Sequence, residues 1–138
     1  MKQLIFRVIG WGHSTLYRRT GGKRGGRMRG VPILLLSTTG RRTGKRRTTP
    51  LMYGQDGENL VLIASKGGDP RHPGWYLNLR GQEAEVQIGD ERRRIRARDA
   101  EGEERDRLWS LMVGLYPPYA DYQTKTTRRI PVVVLEPA

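Results

Sequence analysis

The chain has 138 residues and a mass of 15.8 kDa, 36% of them hydrophobic, with a mean hydropathy of −0.69. That is one compact domain, with no room for a second catalytic one. Its 26 Lys and Arg against 14 Asp and Glu leave a net charge of +12 and a pI near 10.8, so an anionic partner is expected: nucleic acid, an anionic membrane surface, or a small molecule carrying phosphate and carboxylates.

Zero cysteines exclude disulfides, thiolate catalysis, Cys-ligated zinc and iron–sulfur clusters. Two histidines, His13 and His72, argue against a multi-histidine metal site. No apolar run approaches the roughly 18 residues of a membrane span. The apolar start is interrupted by Arg7 and lacks a small-residue cleavage site, so neither an anchor nor a signal peptide is expected, and the expected location is cytoplasmic.

Residues 2–18 place Leu4, Ile5, Val8, Ile9 and Leu16 at roughly helical spacing beside Lys2, Arg7, Arg18 and Arg19, which predicts a basic amphipathic helix. It either docks on the domain or lies at the inner face of the cell membrane as a peripheral contact. Thr20 to Gly30 is too rich in glycine for helix or strand and reads as a basic linker, which sets residues 1–30 apart from a folded domain over 31–138. From Val31 the pattern turns to β. Ile33-Leu34-Leu35-Leu36 is a run suited to a strand buried on both faces. After a basic loop over 41–46, Thr48 to Tyr53 leads to a turn at Asp56-Gly57, and Leu60 to Ala64 returns.

Pro73 suits the first position of a short helix that carries Trp75, Tyr76, Leu77, Asn78 and Leu79 and ends near Gly81. Ala84, Val86 and Ile88, then Ile95 and Ala97, alternate with polar residues around Gly89-Asp90, a hairpin with one wet face. Leu108, Leu111, Met112 and Leu115 at i, i+3, i+4 and i+7, behind Glu101, Glu103 and Glu104, predict an amphipathic helix that stops at Pro117-Pro118. Val132 to Leu135 is the last strand. The order α-β-β-β-α-β-β-α-β with short turns predicts an α+β, mainly β fold: a small barrel or strongly curled sheet with flanking helices.

The chain has no Gly-x-Ser-x-Gly, no helix-borne His pair and no phosphate loop of the Gly-x-x-x-x-Gly-Lys-Ser/Thr type, which lowers the expectation of hydrolysis and ATP chemistry. Four other segments stand at strand ends, where a rigid scaffold holds loops. Thr38 to Pro50 combines two glycines, hydroxyls and five Arg or Lys residues, a donor set suited to phosphate or carboxylate, or else a solvated basic turn. Ser65-Lys66-Gly67-Gly68 delivers a hydroxyl and an ammonium to an open loop. Arg71 to Leu79 holds His72, either a proton donor or a structural hydrogen bonder, and Trp75 and Tyr76, suited to core or site. Tyr116, Tyr119 and Tyr122, spaced by threes across Pro117-Pro118, either wall a pocket or pack on the barrel.

Together Pro32 to Gly44, Ser65 to Gly68, His72 to Leu79 and Tyr116 to Tyr122 carry a resemblance covering about Val31 to Pro137. The sequence resembles the deazaflavin-dependent nitroreductase family, split β-barrel oxidoreductases akin to the FMN-binding split barrels, which bind the 8-hydroxy-5-deazaflavin coenzyme F-420. The resemblance implies that hydride passes from the reduced coenzyme to an apolar acceptor such as a quinone or a nitroaromatic. It implies that Arg41, Arg42 and Thr43 meet the phosphate and polyglutamate tail, and that Arg47, Thr48, Thr49, Pro50, Leu51 and Met52 pass along the coenzyme. Ile63, Ala64, Ser65 and Lys66 match its strand-end contact, and Gly74, Trp75, Tyr76, Leu77 and Asn78 its flanking helix. Tyr116, Tyr119, Tyr122 and Trp75 match the acceptor pocket; Tyr119 also matches a coenzyme contact, and Tyr119, Tyr122 and Ser65 are the implied catalytic groups. Gly74 and Arg46 depart from the family pattern, where a larger apolar residue and a proline are usual.

The coenzyme's phosphodiester and glutamyl carboxylates suit a loop of Arg, Lys, Thr and backbone N–H groups. Two other readings stand beside this one: a split barrel using ordinary FMN, and a basic nucleic-acid-binding module without activity. Against the latter, the aromatics sit in apolar contexts instead of interleaving along a basic face, so no specific nucleic acid is expected.

Overall fold

The computed structural model describes residues 27–28, 30–80 and 82–138, the first two by their backbone. The helix expected over 2–18, its lipid contact and His13 lie outside the described residues. Among the described residues eight strands and three helices follow in order: β1 (Arg27–Met28), β2 (Val31–Thr39), β3 (Arg46–Met52), β4 (Gly54–Asp56), β5 (Asn59–Ile63), a 3-10 turn (Lys66–Gly68), α1 (Gly74–Asn78), β6 (Glu83–Ile88), β7 (Glu91–Asp99), α2 (Gly102–Leu115), α3 (Pro118–Thr124) and β8 (Val132–Pro137). Among the described residues no helix is long and apolar enough to cross a membrane.

All pairings are antiparallel, and the sheet runs β1-β2-β6-β7-β8-β5-β4, with β3 on β2. Only Tyr53 separates β3 from β4, so one bent stretch of chain pairs with β2 through its first half and with β5 through its second. The path therefore returns to β2 and closes a barrel, which removes most of the exposed edge an open sheet would leave. Closure is partial. Beyond Gly54↔Val61 the strands part, and among the described residues β3 pairs only with β2, leaving its other edge open along Arg46–Met52. This is the expected split β-barrel.

The period of two in β5 and β8 sorts side chains into two cores. Leu60, Leu62, Val133 and Leu135 join Leu34, Leu36, Val86 and Ile95 inside the barrel, closed at one end by Trp75, Tyr76 and Leu79 around α1. Val61, Ile63, Val132 and Val134 point outward and are covered by Leu108, Met112, Tyr116 and Tyr119. Ile33, Leu34, Leu35 and Leu36 are all buried, as a strand covered on both faces requires.

Several local expectations change. Arg27–Met28 pairs with β2 as a strand, so the linker is not wholly without structure: a ladder to Val31 and Pro32 offsets the weak intrinsic preference. The turn after β4 centres on Gly57-Glu58, one residue later than expected, with Gly57 at φ 62°. Pro73 caps α1 from outside at ψ 150°, and the helix ends at Asn78.

In α2, Leu108 and Met112 are buried, whereas Leu111 and Leu115 are 38% and 40% exposed. The contact stripe centres on Leu108, Met112 and the partly buried Trp109, which rotates Leu111 and Leu115 toward solvent. Close approach of α2 to β4 explains Gly54, where a Cβ would lie 2.5 Å from Met112 Sδ and 3.2 Å from Leu115 Cδ1. The helix stops just before Pro117-Pro118, as expected, and a second helix follows at once. The chain turns there and Pro118 begins α3, where its missing N–H has no cost in the first turn.

Candidate active site

The basic loop joins Thr39 to Arg46, the last pair of the β2–β3 ladder. Gly40 N donates to Lys45 O (2.7 Å) and Gly44 N to Gly40 O (2.8 Å), while Lys45 N donates to Thr43 Oγ1 at 3.2 Å, so the Thr43 hydroxyl serves the loop itself. Arg41 is tied to α1: its backbone N and its Nη1 both donate to Asn78 Oδ1, at 3.1 and 3.2 Å. Asn78 is 5% exposed, and its Nδ2 lies 3.4 Å from Thr38 Oγ1. Arg46 pairs with Glu85 at 2.9 Å. Among the described residues no carboxylate stands within 4 Å of Arg42, Lys45 or Arg47, and the loop presents uncompensated positive charge.

From that loop β3 runs about 20 Å, at ~3.3 Å per residue, to Met52. Its residues from Arg47 onward are half-buried. Ser37 and Thr48 share a hydrogen bond of 2.9 Å across the β2–β3 ladder, Leu51 packs on the barrel core, and Met52 turns to the helix side. There the Tyr119 hydroxyl donates to Met52 Sδ at 3.9 Å.

The three tyrosines form one cluster, because Tyr116 ends α2 while Tyr119 and Tyr122 stand one turn apart on α3. Their ring centroids are 5.0 to 6.4 Å apart, and the Tyr116 and Tyr122 hydroxyls are 3.3 Å apart. Tyr119 is 6% exposed; burial first, then its two phenol neighbours, push its pKa well above the ordinary phenol value. It stays protonated throughout the physiological range, a hydrogen-bond donor and a poor acid. Tyr122 is half-buried and reachable.

Ser65 lies just past β5, 8% exposed, and among the described residues its hydroxyl meets no hydrogen-bond partner. A buried hydroxyl in that state suits a ligand group. Ile63 faces the helices and Ala64 the barrel core. Lys66 follows at φ 47°, and the turn packs so closely on α3 that a Cβ at Gly68 would stand 2.9 Å from Tyr122 O. The turn, the tyrosines and the far end of β3 thus come together through α3, while the basic loop and α1 gather at the near end.

In α1, Trp75 and Tyr76 belong to the barrel core, with Leu77 partly buried against it. The Tyr76 hydroxyl donates to Asp99 Oδ2 at 2.6 Å, and burial followed by that bond raises its pKa. Gly74, at the helix start, is half-buried. His72 packs against Tyr76 with its pKa lowered by burial and then by Arg128, so it is neutral; since Arg128 only donates, His72 Nδ1 accepts. Sequence reasoning missed Arg128 and Asp99. Each stands in a run or alternation of charged residues, where nothing distinguishes a partnered side chain from a solvated one.

The family model for F420H(2)-dependent quinone reductase matches residues 11–137. The chain belongs to that family. An F420H(2)-dependent quinone reductase of Mycobacterium tuberculosis is 44% identical over 128 residues, covering 89% of this chain and 86% of its own. A solved F420-H2 dependent reductase, FDR-A, is 50% identical with a TM-score of 0.69, covering 76% of this chain and 94% of its own. A further solved chain, described as a domain-swapped dimer, is 44% identical with a TM-score of 0.72 over 91% of this chain and 97% of its own. This quinone reductase family member is an oxidoreductase whose cofactor is coenzyme F-420, one of the kinds of anionic partner that the charge left open. The donor set fits the coenzyme: uncompensated guanidinium and ammonium groups at one end of β3, and the orphaned Ser65 hydroxyl toward the other.

Proposed function

We propose that the open edge of β3 forms one wall of the coenzyme cleft, and that quinone reduction takes place at its tyrosine end. The observation that carries this is the path of β3 itself, which begins at an uncompensated basic loop and ends under the Tyr119 hydroxyl. Arg41, Arg42, Thr43, Lys45 and Arg47 hold the phosphate and glutamyl carboxylates by charge-assisted bonds, Arg41 while anchored to Asn78. Thr48 to Met52 line the ring system, Ser65 and Lys66 bind its polar edge, and α1 supports it from Gly74 to Asn78.

When bound, the reduced deazaflavin supplies a hydride. The chain's own task is to orient the acceptor, exclude water and deliver a proton. Tyr116 and Tyr122 wall the acceptor; Tyr119, kept neutral by burial, holds Met52 and the floor of the pocket. Tyr122 donates its hydroxyl proton to the acceptor oxygen and regains one from solvent through its exposed side. Nitroaromatics of similar shape are reduced in the same place. In the cytoplasm, a peripheral contact of residues 1–28 with anionic lipid brings this pocket to a lipid-soluble quinone, supported by the basic, apolar character of that segment.

The test is to titrate the protein into coenzyme F-420 and follow its fluorescence polarisation, then mix the protein with reduced coenzyme and menadione and follow reoxidation. Saturable binding and quinone-dependent turnover are expected. A coenzyme that tumbles freely at every protein concentration would refute the assignment. Loss of co-sedimentation with anionic vesicles on removing residues 1–28 tests the lipid contact separately.

A further inference from the structure

The turn that carries Ser65 and Lys66 is an unfavourable conformation for this sequence. Lys66, Gly67 and Gly68 have φ of 47°, 64° and 86°, three successive residues in the left-handed region, and only two of them are glycine. A lysine there is strained, because its Cβ crowds the following carbonyl. Within the turn, Gly68 N donates to Ser65 O (3.0 Å) and Asp69 N to Lys66 O (3.1 Å).

Three carbonyls that bracket the turn are bound by a single side chain from the far end of the sequence. Arg128 Nε donates to Asp69 O at 2.9 Å, Nη2 to Ser65 O at 2.8 Å, and Nη1 to both Ala64 O and His72 Nδ1 at 3.2 Å. Four acceptors on four residues, 56 to 64 positions away, are gathered by one planar fork. The fork is itself fixed. Gln123 of α3 donates through Nε2 to Arg128 O (2.8 Å) and accepts from Ile130 N (2.9 Å), so the helix bearing Tyr119 and Tyr122 sets the backbone from which Arg128 reaches.

We propose that Arg128 is a positioning residue for the coenzyme, holding the Ala64–Asp69 turn in the left-handed form that presents Ser65 and Lys66 to it. This rests on the coenzyme cleft assigned above. A lysine at this position keeps the charge, but three donors on one point cannot reproduce a fork spanning four acceptors. The arrangement also explains the role of His72: as a neutral acceptor it completes the Nη1 bonds, so the segment before α1 and the turn after β5 share one anchor.

The experiment compares coenzyme affinity, by polarisation, in the full chain, Arg128→Lys, Lys66→Ala and the double variant, with thermal melts confirming that each is folded. Arg128→Lys is expected to raise the Kd at least tenfold. Because Arg128 acts through the turn, Lys66→Ala is expected to add little in the Arg128→Lys background although it weakens binding in the native one. Equal Kd in the native and Arg128→Lys proteins, or fully multiplicative effects in the double variant, would overturn the proposal. If Arg128→Lys does not fold, His72→Phe removes one acceptor while keeping a ring against Tyr76. It is expected to raise the Kd about threefold, and an unchanged Kd would overturn the proposal equally. Absence of coenzyme binding by the unmodified protein would instead strike the cleft assignment.

Discussion

Replacing Asn78 with alanine separates what α1 does for stability from what it does for the coenzyme. Asn78 Oδ1 accepts the Arg41 backbone N–H and Nη1, and its Nδ2 contact to Thr38 is long at 3.4 Å. The exposed Arg41 guanidinium recovers water when released, so the main loss is one part-buried backbone bond plus the packing of a buried amide. At about 1 kcal/mol for such a net bond, a total of roughly 1–2 kcal/mol follows. For a domain of this size that lowers the melting temperature by about 3–7 °C.

The same change frees the basic loop at Arg41, so binding must re-order it, and the coenzyme Kd is expected to rise three- to tenfold, about 0.7–1.4 kcal/mol. Asn78→Asp keeps the accepting oxygens and is expected to retain most of both quantities. Thermal melts and polarisation titrations on the three proteins decide the matter. A lower melting temperature with unchanged Kd would reduce Asn78 to a structural tie and remove the loop geometry from the binding argument. Lost affinity at native stability would mean that Asn78 touches the coenzyme directly.

Three further outcomes follow from the geometry. Tyr119→Phe should bind coenzyme while turning over menadione more slowly. Because the folded-state phenol pKa is raised, native stability declines as pH rises past the ordinary phenol value near 10, where the unfolded chain ionises first, and the phenylalanine variant should show a shallower alkaline decline in urea titrations. Gly68→Ala places a methyl 2.9 Å from Tyr122 O and 3.0 Å from Lys125 Cβ at a φ of +86°, so it should destabilise by about 1–3 kcal/mol and displace Tyr122, lowering quinone turnover more than coenzyme affinity. Arg42→Ala and Arg47→Ala should each weaken coenzyme binding and reduce its salt dependence, since neither cation has a carboxylate partner among the described residues; salt-independent binding by the native protein would contradict an anionic tail in the loop.

Much of this protein is written locally. The apolar run Ile33–Leu36, the alternation in Ala84–Ile88, the Gly89-Asp90 turn and the acidic start of α2 each have one low-energy reading, because strand and helix periods, turn φ values and dipoles act over a few residues. The basic loop, Ser65-Lys66 and the three tyrosines were legible as segments too. The tertiary structure decided which of them meet: β3 and β4 belong to two different pairings only because the barrel closes through Tyr53, and that closure leaves the edge of β3 open. Likewise, the rotation of α2 that exposes Leu111 is set by Gly54 and β5, not by the helix's own apolar spacing. Arg128 is the extreme case. In Thr126-Thr127-Arg128-Arg129 nothing local distinguishes it from its neighbour, because its four acceptors are backbone carbonyls and an imidazole some sixty residues upstream, and hydrogen-bond partners at that separation exist only once the chain has folded.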